Sequence, residues 1–333
     1  MLENIDRIHF IGIGGVGVNA LAKYVMDCGI KVSGSDAKIN SLCKELMERG
    51  ADISEGEDGS RVDGADLIVY SSAIKSDNAE LARARVLNIP TLERQQFLHE
   101  VASGFHTVVG IAGTHGKTTT TAMLSHILAK CGQNFASMIG GESVDYGNYV
   151  NNCGGDKNIF VVEACEYKRN FLSLNPMVAV VTNVECDHPD CYADISDVRA
   201  AFDEYLSGAP IKIYAEGEEL DGYKVFVKTK SGNAKYLPNV KCSLNAKSSF
   251  NTEYLLKADG NKHALFKDGK YVGDIVLCEG GDYNFKNAMF AVASAGVLGI
   301  HTENALDALR SFRGVKRRFE LGGYVDGVPV YFD

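Results

Sequence analysis

Gly113, Thr114, His115 and Gly116, followed directly by Lys117, Thr118 and Thr119, are residue types suited to holding a phosphate chain. A glycine-rich loop of this kind aims backbone N–H groups and a helix N-terminus at one point in space. Both favour a bound anion. Lys117 adds a mobile positive charge, and the Thr118 hydroxyl is placed to reach a magnesium ion. The spacing departs from the common G-x-x-x-x-G-K-[ST] pattern, because position 111 is Ile and the glycines fall at 110 and 113.

A second phosphate-type motif stands near the start of the chain. Gly12, Gly14 and Gly17 make a strict G-x-G-x-x-G, with Gly15 and Val16 inside it. Asp36 closes the strand that follows. That is the dinucleotide-binding fingerprint with its ribose acid in place. Taken alone, it predicts NAD.

Two polar clusters follow short apolar runs. Glu163-Ala-Cys-Glu166 ends the run 158–162, and Thr182-Asn183 with Val184-Glu-Cys-Asp-His188 ends the run 178–181. At the carboxyl edge of an open parallel sheet such side chains face the ligand. Magnesium prefers oxygen, so Glu163 is the better ligand and His188 the more conditional one. From spacing alone, ordinary surface acids and a turn histidine explain these residues equally well. Lys316, Arg317 and Arg318 could face phosphate or form a solvated basic turn.

The elements that must position these residues alternate between strand and helix. Ile8, Phe10, Ile11 and Ile13 suit a strand, and Leu21, Val25 and Cys28 mark one face of a helix ended by Gly29. A strand over 31–35 follows, then a helix carrying Leu42, Leu46 and Met47 that stops at Gly50. Residues 67–70 read as a strand running into Ser71 and Ser72. Helices are expected over 79–87 and around Phe97, Leu98 and Val101. Ser103-Gly104 serves as a linker.

Residues 108–112 form the strand before the lysine loop, and Met123, Leu124, Ile127 and Leu128 line the helix after it, with Gly132 at its stop. Between 211 and 278 the pattern changes to short alternating runs. Asp259-Gly260 and Asp268-Gly269 separate them as hairpin turns. This predicts a small antiparallel excursion packed on the second domain and covering its site. Helices resume over 284–298 and 303–312, and 328–333 reads as a strand cut short.

The predicted class is α/β: an N-terminal Rossmann-like parallel-sheet domain, then a P-loop-type ATP-binding domain with the antiparallel excursion. The expected boundaries are 1–103 and 104–320, with 321–333 opening a further domain.

A chain of 333 residues suits about two domains. The net charge of -9 argues against a nucleic-acid partner. No apolar run approaches the roughly 20 residues of a membrane span, and the N-terminus lacks the basic start and apolar stretch of a signal peptide. Nine cysteines without a C-x-x-C pair fit free thiols in a reducing cytoplasm.

Together these stretches resemble the Mur ligases of bacterial cell-wall synthesis. The resemblance rests on residues 8–15, 32–36, 71–74, 113–120, 163–166, 181–188, 284–288 and 314–319, and so covers nearly the whole chain. It implies ATP and magnesium as cofactors, and UDP-N-acetylmuramate and L-alanine as substrates; the tripeptide-recycling branch of the family is the runner-up. An NAD-dependent oxidoreductase is less favoured, since a dehydrogenase has no use for the lysine loop.

By this similarity Gly12, Gly14, Gly15, Val16 and Gly17 approach the UDP diphosphate, with Asp36, Ser71 and Ser72 near that nucleotide. Gly113, Thr114, His115, Gly116, Lys117, Thr118 and Thr119 hold ATP phosphates. Asn284 and Asn287 match adenine contacts, and Arg318 matches an arginine at the ATP phosphates or ribose. Thr118, Glu163 and His188 match the metal ligands, and Lys117, Glu163 and His188 carry the catalysis.

Departures exist. Cys165-Glu-Tyr167 replaces Asp-Glu-Ser, and Tyr283 replaces a histidine. No lysine lies between His188 and Lys212, which puts a carbamate-bridged metal site in doubt. The implied chemistry is two-step acyl transfer through an acyl phosphate. The family's amino-acid domain would begin where this chain stops, which leads to an expectation of nucleotide binding without ligation.

Overall fold

The structure is a computed structural model that describes residues 5–154, 158–216, 224–229, 251–259, 262–278, 280–318, 320–325 and 328–332. The expected turn at Asp259-Gly260 falls partly outside them. Two compact units are present, Met1–Gly104 and Phe105–Asp333. Among the described residues no helix is long and apolar enough to cross a membrane.

In the first unit the chain runs β1 (Arg7–Ile11), α1 (Val16–Asp27), β2 (Lys31–Asp36), α2 (Ser41–Glu48), β3 (Asp52–Glu55), β4 (Leu67–Tyr70), α3 (Ala79–Leu87), β5 (Thr91–Glu93) and α4 (Arg94–Ser103). The strands form one sheet in the order β3-β2-β1-β4-β5, and every neighbouring pair is parallel. β1 is central because Ile8, Phe10 and Ile11 are all buried, so both of its faces can be covered. Its neighbours are β2 and β4, so its carboxyl end lies where the strand order reverses, the usual ligand crevice of such sheets. The apolar face of α2 is Leu42, Cys43 and Leu46; Met47, expected on it, is 44% exposed.

The second unit runs β6 (Thr107–Ala112), α5 (Lys117–Lys130), β7 (Phe135–Ser143), β8 (Gly147–Asn151), β9 (Ile159–Glu163), β10 (Val178–Val181), α6 (Ile195–Gly208) and β11 (Ile211–Glu216). Then come β12 (Lys224–Thr229), β13 (Asn251–Asp259), β14 (Lys262–Lys267), β15 (Lys270–Asp274), α7 (Asp282–Val297), α8 (Thr302–Leu309), β16 (Glu320–Val325) and β17 (Val328–Phe332). One ten-stranded sheet has the order β15-β14-β13-β12-β11-β10-β6-β9-β7-β8.

Its centre, from β11 to β7, is parallel, and its wings are antiparallel. The antiparallel excursion is therefore no separate cover. Its strands hydrogen-bond edge to edge and continue the sheet in its own plane. Nor does 328–332 stand alone, since β17 pairs antiparallel with β16.

Val109, Ile111, Val178 and Val180 fill the sheet's middle, under Leu124 and Ile127 of α5 and Met289 and Phe290 of α7. Ala288, Ala291 and Ala295 keep α7 narrow where it packs.

A titratable group sits inside this packing. His126 of α5 is 1% exposed, with Nε2 3.1 Å from the Ala308 carbonyl and 3.0 Å from Ser311 Oγ. Its Nδ1 lies 3.3 Å from Tyr146 Oη and 3.6 Å from Asp145 Oδ2. Burial pushes its pKa down; Asp145 and the Ala308 carbonyl oppose that shift, while Lys130 and Arg313 add to it.

The folded chain thus binds fewer protons at this site than the unfolded chain, and stability is lost as pH falls through about 6.5, where the free imidazole protonates. We expect His126→Gln to flatten the decline of the urea midpoint between neutral and mildly acid pH. An unchanged decline in the variant would assign the effect to other groups.

Candidate functional site

In the first unit, the turn after β1 requires glycine at Gly12, whose φ is +78° and whose Cβ would press on Ser71 Cβ at 3.1 Å. The Gly12 and Ile13 amides donate to the Ser35 carbonyl at 2.8 and 3.1 Å. Asp36 is tied to this loop. Its carboxylate accepts from the Gly14 amide at 2.8 Å and the Lys38 amide at 3.2 Å. Asn40 closes the same loop by donating to the Gly14 carbonyl at 2.9 Å.

Gly15 is exposed and caps α1, and Val16 and Gly17 are half-buried on its first turn. Ser71 is tied to β1 through its amide and the Ile11 carbonyl at 3.1 Å, while Ser72 is exposed. Arg94, which the sequence reading did not single out, brings its guanidinium beside Gly17: a Cβ there would lie 3.0 Å from it.

In the second unit the lysine loop leaves β6 and opens α5, as the glycines require. Gly113 has φ +135° and Gly116 φ +81°. A Cβ on Gly113 would overlap Thr182 Oγ1, and one on Gly116 would overlap Asn287 Oδ1. Residues after β10 clamp the loop. The Thr182 hydroxyl donates to the His115 carbonyl, and the Asn183 side chain accepts from the His115 amide at 2.8 Å. The Thr114 hydroxyl accepts from the Glu185 amide at 2.9 Å. Thr119 is half-buried one position beyond Thr118.

Lys117 folds back on its own loop. Its ammonium donates to the carbonyls of Gly113 and Thr114 and to Glu166 Oε1, the last at 2.9 Å. Glu166 is 3% exposed, and its Oε2 is buried without a hydrogen-bond partner. The same Oε1 lies 3.7 Å from His188 Nε2. His188 adopts φ +56°, a left-handed backbone costly for a non-glycine residue, and its ring meets Tyr167 edge-on at 5.2 Å. The structure thus groups His188 with Glu166 and Asp187.

Glu163, at the end of β9, accepts from the Thr118 hydroxyl at 3.2 Å and from the Gly140 amide. Burial pushes its carboxyl pKa up, while those two hydrogen bonds and the charges of Lys117 and Arg318 pull it down. Glycine is needed at 140 and 141: a Cβ on Gly140 would overlap the Glu163 carboxylate, and one on Gly141 would lie 2.9 Å from Thr118 Cγ2. Arg318 is brought near by a turn pinned to β7, where the Lys316 amide meets the Glu142 carbonyl at 2.9 Å and Val315 bridges Ser143. Asn287 is buried against Gly116, and Asn284, one turn earlier, bonds the Gly280 carbonyl at 3.3 Å.

The two oxygens of Thr118 and Glu163 suit a hard cation. Among the described residues no three His, Cys, Asp or Glu side chains cluster into a full ligand set. Magnesium fits such a sparse site, since it keeps several waters and takes phosphate oxygens.

Two family models match the chain. Residues 7–106 match the family model "Mur ligase family, catalytic domain", and residues 111–295 match "Mur ligase middle domain". The UDP-N-acetylmuramate–L-alanine ligase of Acetivibrio thermocellus is 36% identical over 99% of this chain and 70% of its own length. That of Clostridium novyi is 34% identical over 99% and 71%.

Among solved structures, the UDP-N-acetylmuramate-alanine ligase of Thermotoga maritima superposes with a TM-score of 0.78 at 25% identity, covering 98% of this chain and 74% of that one. The UDP-N-acetylmuramate:L-alanyl-gamma-D-glutamyl-meso-diaminopimelate ligase of Neisseria meningitides gives 0.75 at 26%, covering 94% and 100%. With two phosphate-type loops in order, matching family models over both units and relatives above 30% identity along nearly its full length, this chain belongs to the Mur ligase family.

Proposed function

We propose that this chain serves an ATP-dependent ligase joining the carboxylate of UDP-N-acetylmuramate to the amine of L-alanine. The observation that carries the reading is the pair of phosphate-type loops, one per unit, of which only the second has a lysine and an acid–hydroxyl pair beside it. The first unit takes the UDP-sugar through Gly12, Gly14, Gly15, Val16 and Gly17, with Asp36, Ser71 and Ser72 at its rim. Asp36, held by the Gly14 and Lys38 amides, shapes the loop and keeps acceptor capacity on both oxygens.

The second unit takes ATP on residues 113–119, with Asn284 and Asn287 toward the base and Arg318 toward the phosphates. A carboxylate is a poor acyl donor, because its oxygen leaves badly. One oxygen of the lactyl carboxylate attacks the γ-phosphorus, and ADP departs. The amine then attacks the acyl carbon, inorganic phosphate leaves, and the amine gives up a proton.

The residues act by bringing anions together and neutralising them. Lys117 leaves Glu166 to meet the phosphates, and Arg318 adds a second cation. Thr118 and Glu163 would hold magnesium, which when bound offsets charge on the phosphate oxygens. His188, fixed by Glu166 and Tyr167, stands by as a further ligand.

The test is calorimetric titration with UDP-N-acetylmuramate and with NAD, together with hydroxylamine trapping of the acyl phosphate. Binding of the UDP-sugar and a hydroxamate formed only when ATP is also present support the reading. NAD binding with no response to the UDP-sugar would overturn it. In a chain that carries the family's amino-acid domain, offering L-alanine or the tripeptide in place of hydroxylamine separates the two branches of the family.

A further inference from the structure

Beneath the first loop lies a buried polar network that the chemistry above does not use. Glu80, on the first turn of α3, is fully buried, and so is His9 of β1. Glu80 Oε1 lies 3.1 Å from His9 Nε2, and Oε2 accepts from the Ser35 hydroxyl. On the other side of the ring, His9 Nδ1 lies 2.9 Å from Ser33 Oγ, which accepts from Arg7 Nε at 3.1 Å. The donors and acceptors close into one chain with the His9 proton on Nε2: Arg7 to Ser33, Ser33 to His9, His9 to Glu80, and Ser35 to Glu80.

Apolar side chains would fill this space at less desolvation cost. What apolar groups cannot do is fix direction. Ser35 is the residue whose carbonyl takes the Gly12 and Ile13 amides, and its neighbour Asp36 takes the Gly14 amide. Glu80 also sits two residues beyond Asn78, whose side chain caps α3 by accepting from the Glu80 and Leu81 amides at 3.0 and 3.1 Å. The stretch from Ser71 to Asn78 forms the second lip of the same crevice. One carboxylate therefore ties the end of β2, which sets the glycine loop, to the start of α3, which sets the serine loop.

We propose that Glu80, clasped by His9 and Ser35, is a positioning residue that holds both lips of the first unit's crevice in the geometry that receives the sugar nucleotide. The proposal rests on the assignment of the UDP-sugar to this unit.

The test uses Glu80→Ala, Glu80→Gln and Ser35→Ala in the full chain, with two readouts. The first is the affinity for UDP-N-acetylmuramate per folded molecule, with ATP affinity as control. Losses of about tenfold or more for Glu80→Ala and a few-fold for Ser35→Ala are expected, with Glu80→Gln between them and ATP binding unchanged. The second is amide exchange in the ligand-free protein, which should quicken over 12–17 and 71–78 more than over the strand amides of β1 and β4. A purely structural role predicts a lowered unfolding midpoint with normal affinity and uniformly faster exchange; that result overturns the proposal. If Glu80→Ala does not fold, Ser35→Ala decides by the same criteria. If the unaltered chain does not bind the UDP-sugar, the assignment fails, and the exchange pattern alone judges Glu80.

Discussion

Lys117→Ala should cut ATP affinity by about one to two orders of magnitude and leave UDP-N-acetylmuramate binding unchanged. Charge-assisted hydrogen bonds contribute about 1.5–3 kcal/mol each, and each 1.4 kcal/mol is about tenfold in affinity. The ammonium now engages two loop carbonyls and Glu166, so it is already poised at the loop mouth. The substitution also strands Glu166, 3% exposed with one oxygen already unpartnered. Leaving a buried charge without its partner costs about 3–5 kcal/mol, so the single variant should be less stable as well. Lys117→Met combined with Glu166→Gln separates the two effects: stability should recover while ATP affinity should not. Full ATP affinity in Lys117→Ala, or equal loss of both ligands, would contradict the assignment of the lysine.

Gly113→Ala should be the most damaging single-methyl change. Its φ of +135° lies where side chains are strained, at about 1–3 kcal/mol. The added Cβ would overlap Thr182 Oγ1 and sit 3.1 Å from the Asn183 amide nitrogen. Relieving that overlap costs about 1–3 kcal/mol more and moves the hydroxyl that holds the His115 carbonyl. Gly323→Ala, at φ +140° with nothing within 4 Å of its Cβ, isolates the backbone term. Urea midpoints and ATP titrations of both variants check the account; similar midpoints would show that Thr182 yields freely.

The strand-loop-helix frame of both loops was legible because its signals are local. Glycines at 12, 113 and 116 mark turns that demand positive φ, and the run 108–112 is apolar on both faces, as is 8–11 apart from His9. Thr118 and Glu163 could be named because an acid at a strand's end and a hydroxyl at a helix start are each visible alone. Their juxtaposition, and that of Gly116 with Asn287, depends on strand order and was not visible. The need for glycine at 140 and 141 has no local signal; it lies in Glu163 and Thr118, which stand against them. Glu166 was noticed but not assigned, since its meaning lies in Lys117 and His188, far off in sequence. The fingerprint marks Asp36 at the end of β2, but not the hydrogen bond from the Gly14 amide by which its carboxylate also shapes the loop. The excursion over 211–278 was read as hairpins, but hairpin signals do not say whether the strands stack on a sheet or extend it.

The ten-stranded sheet mixes near and far neighbours. Val109 of β6 pairs with Val161 of β9 and Val178 of β10, so its parallel centre closes only when remote segments meet. The β7–β8 and β13–β14–β15 pairings join segments next to each other along the chain. Closing long loops costs entropy before any contact repays it, so such topologies collapse at the hairpins first and wait at the centre. Until β10 is in place the phosphate loop lacks Thr182 and Asn183, which clamp it in the folded chain. Nucleotide should therefore not accelerate folding and should only slow unfolding, which stopped-flow traces with and without ATP would reveal as a change in the unfolding limb alone.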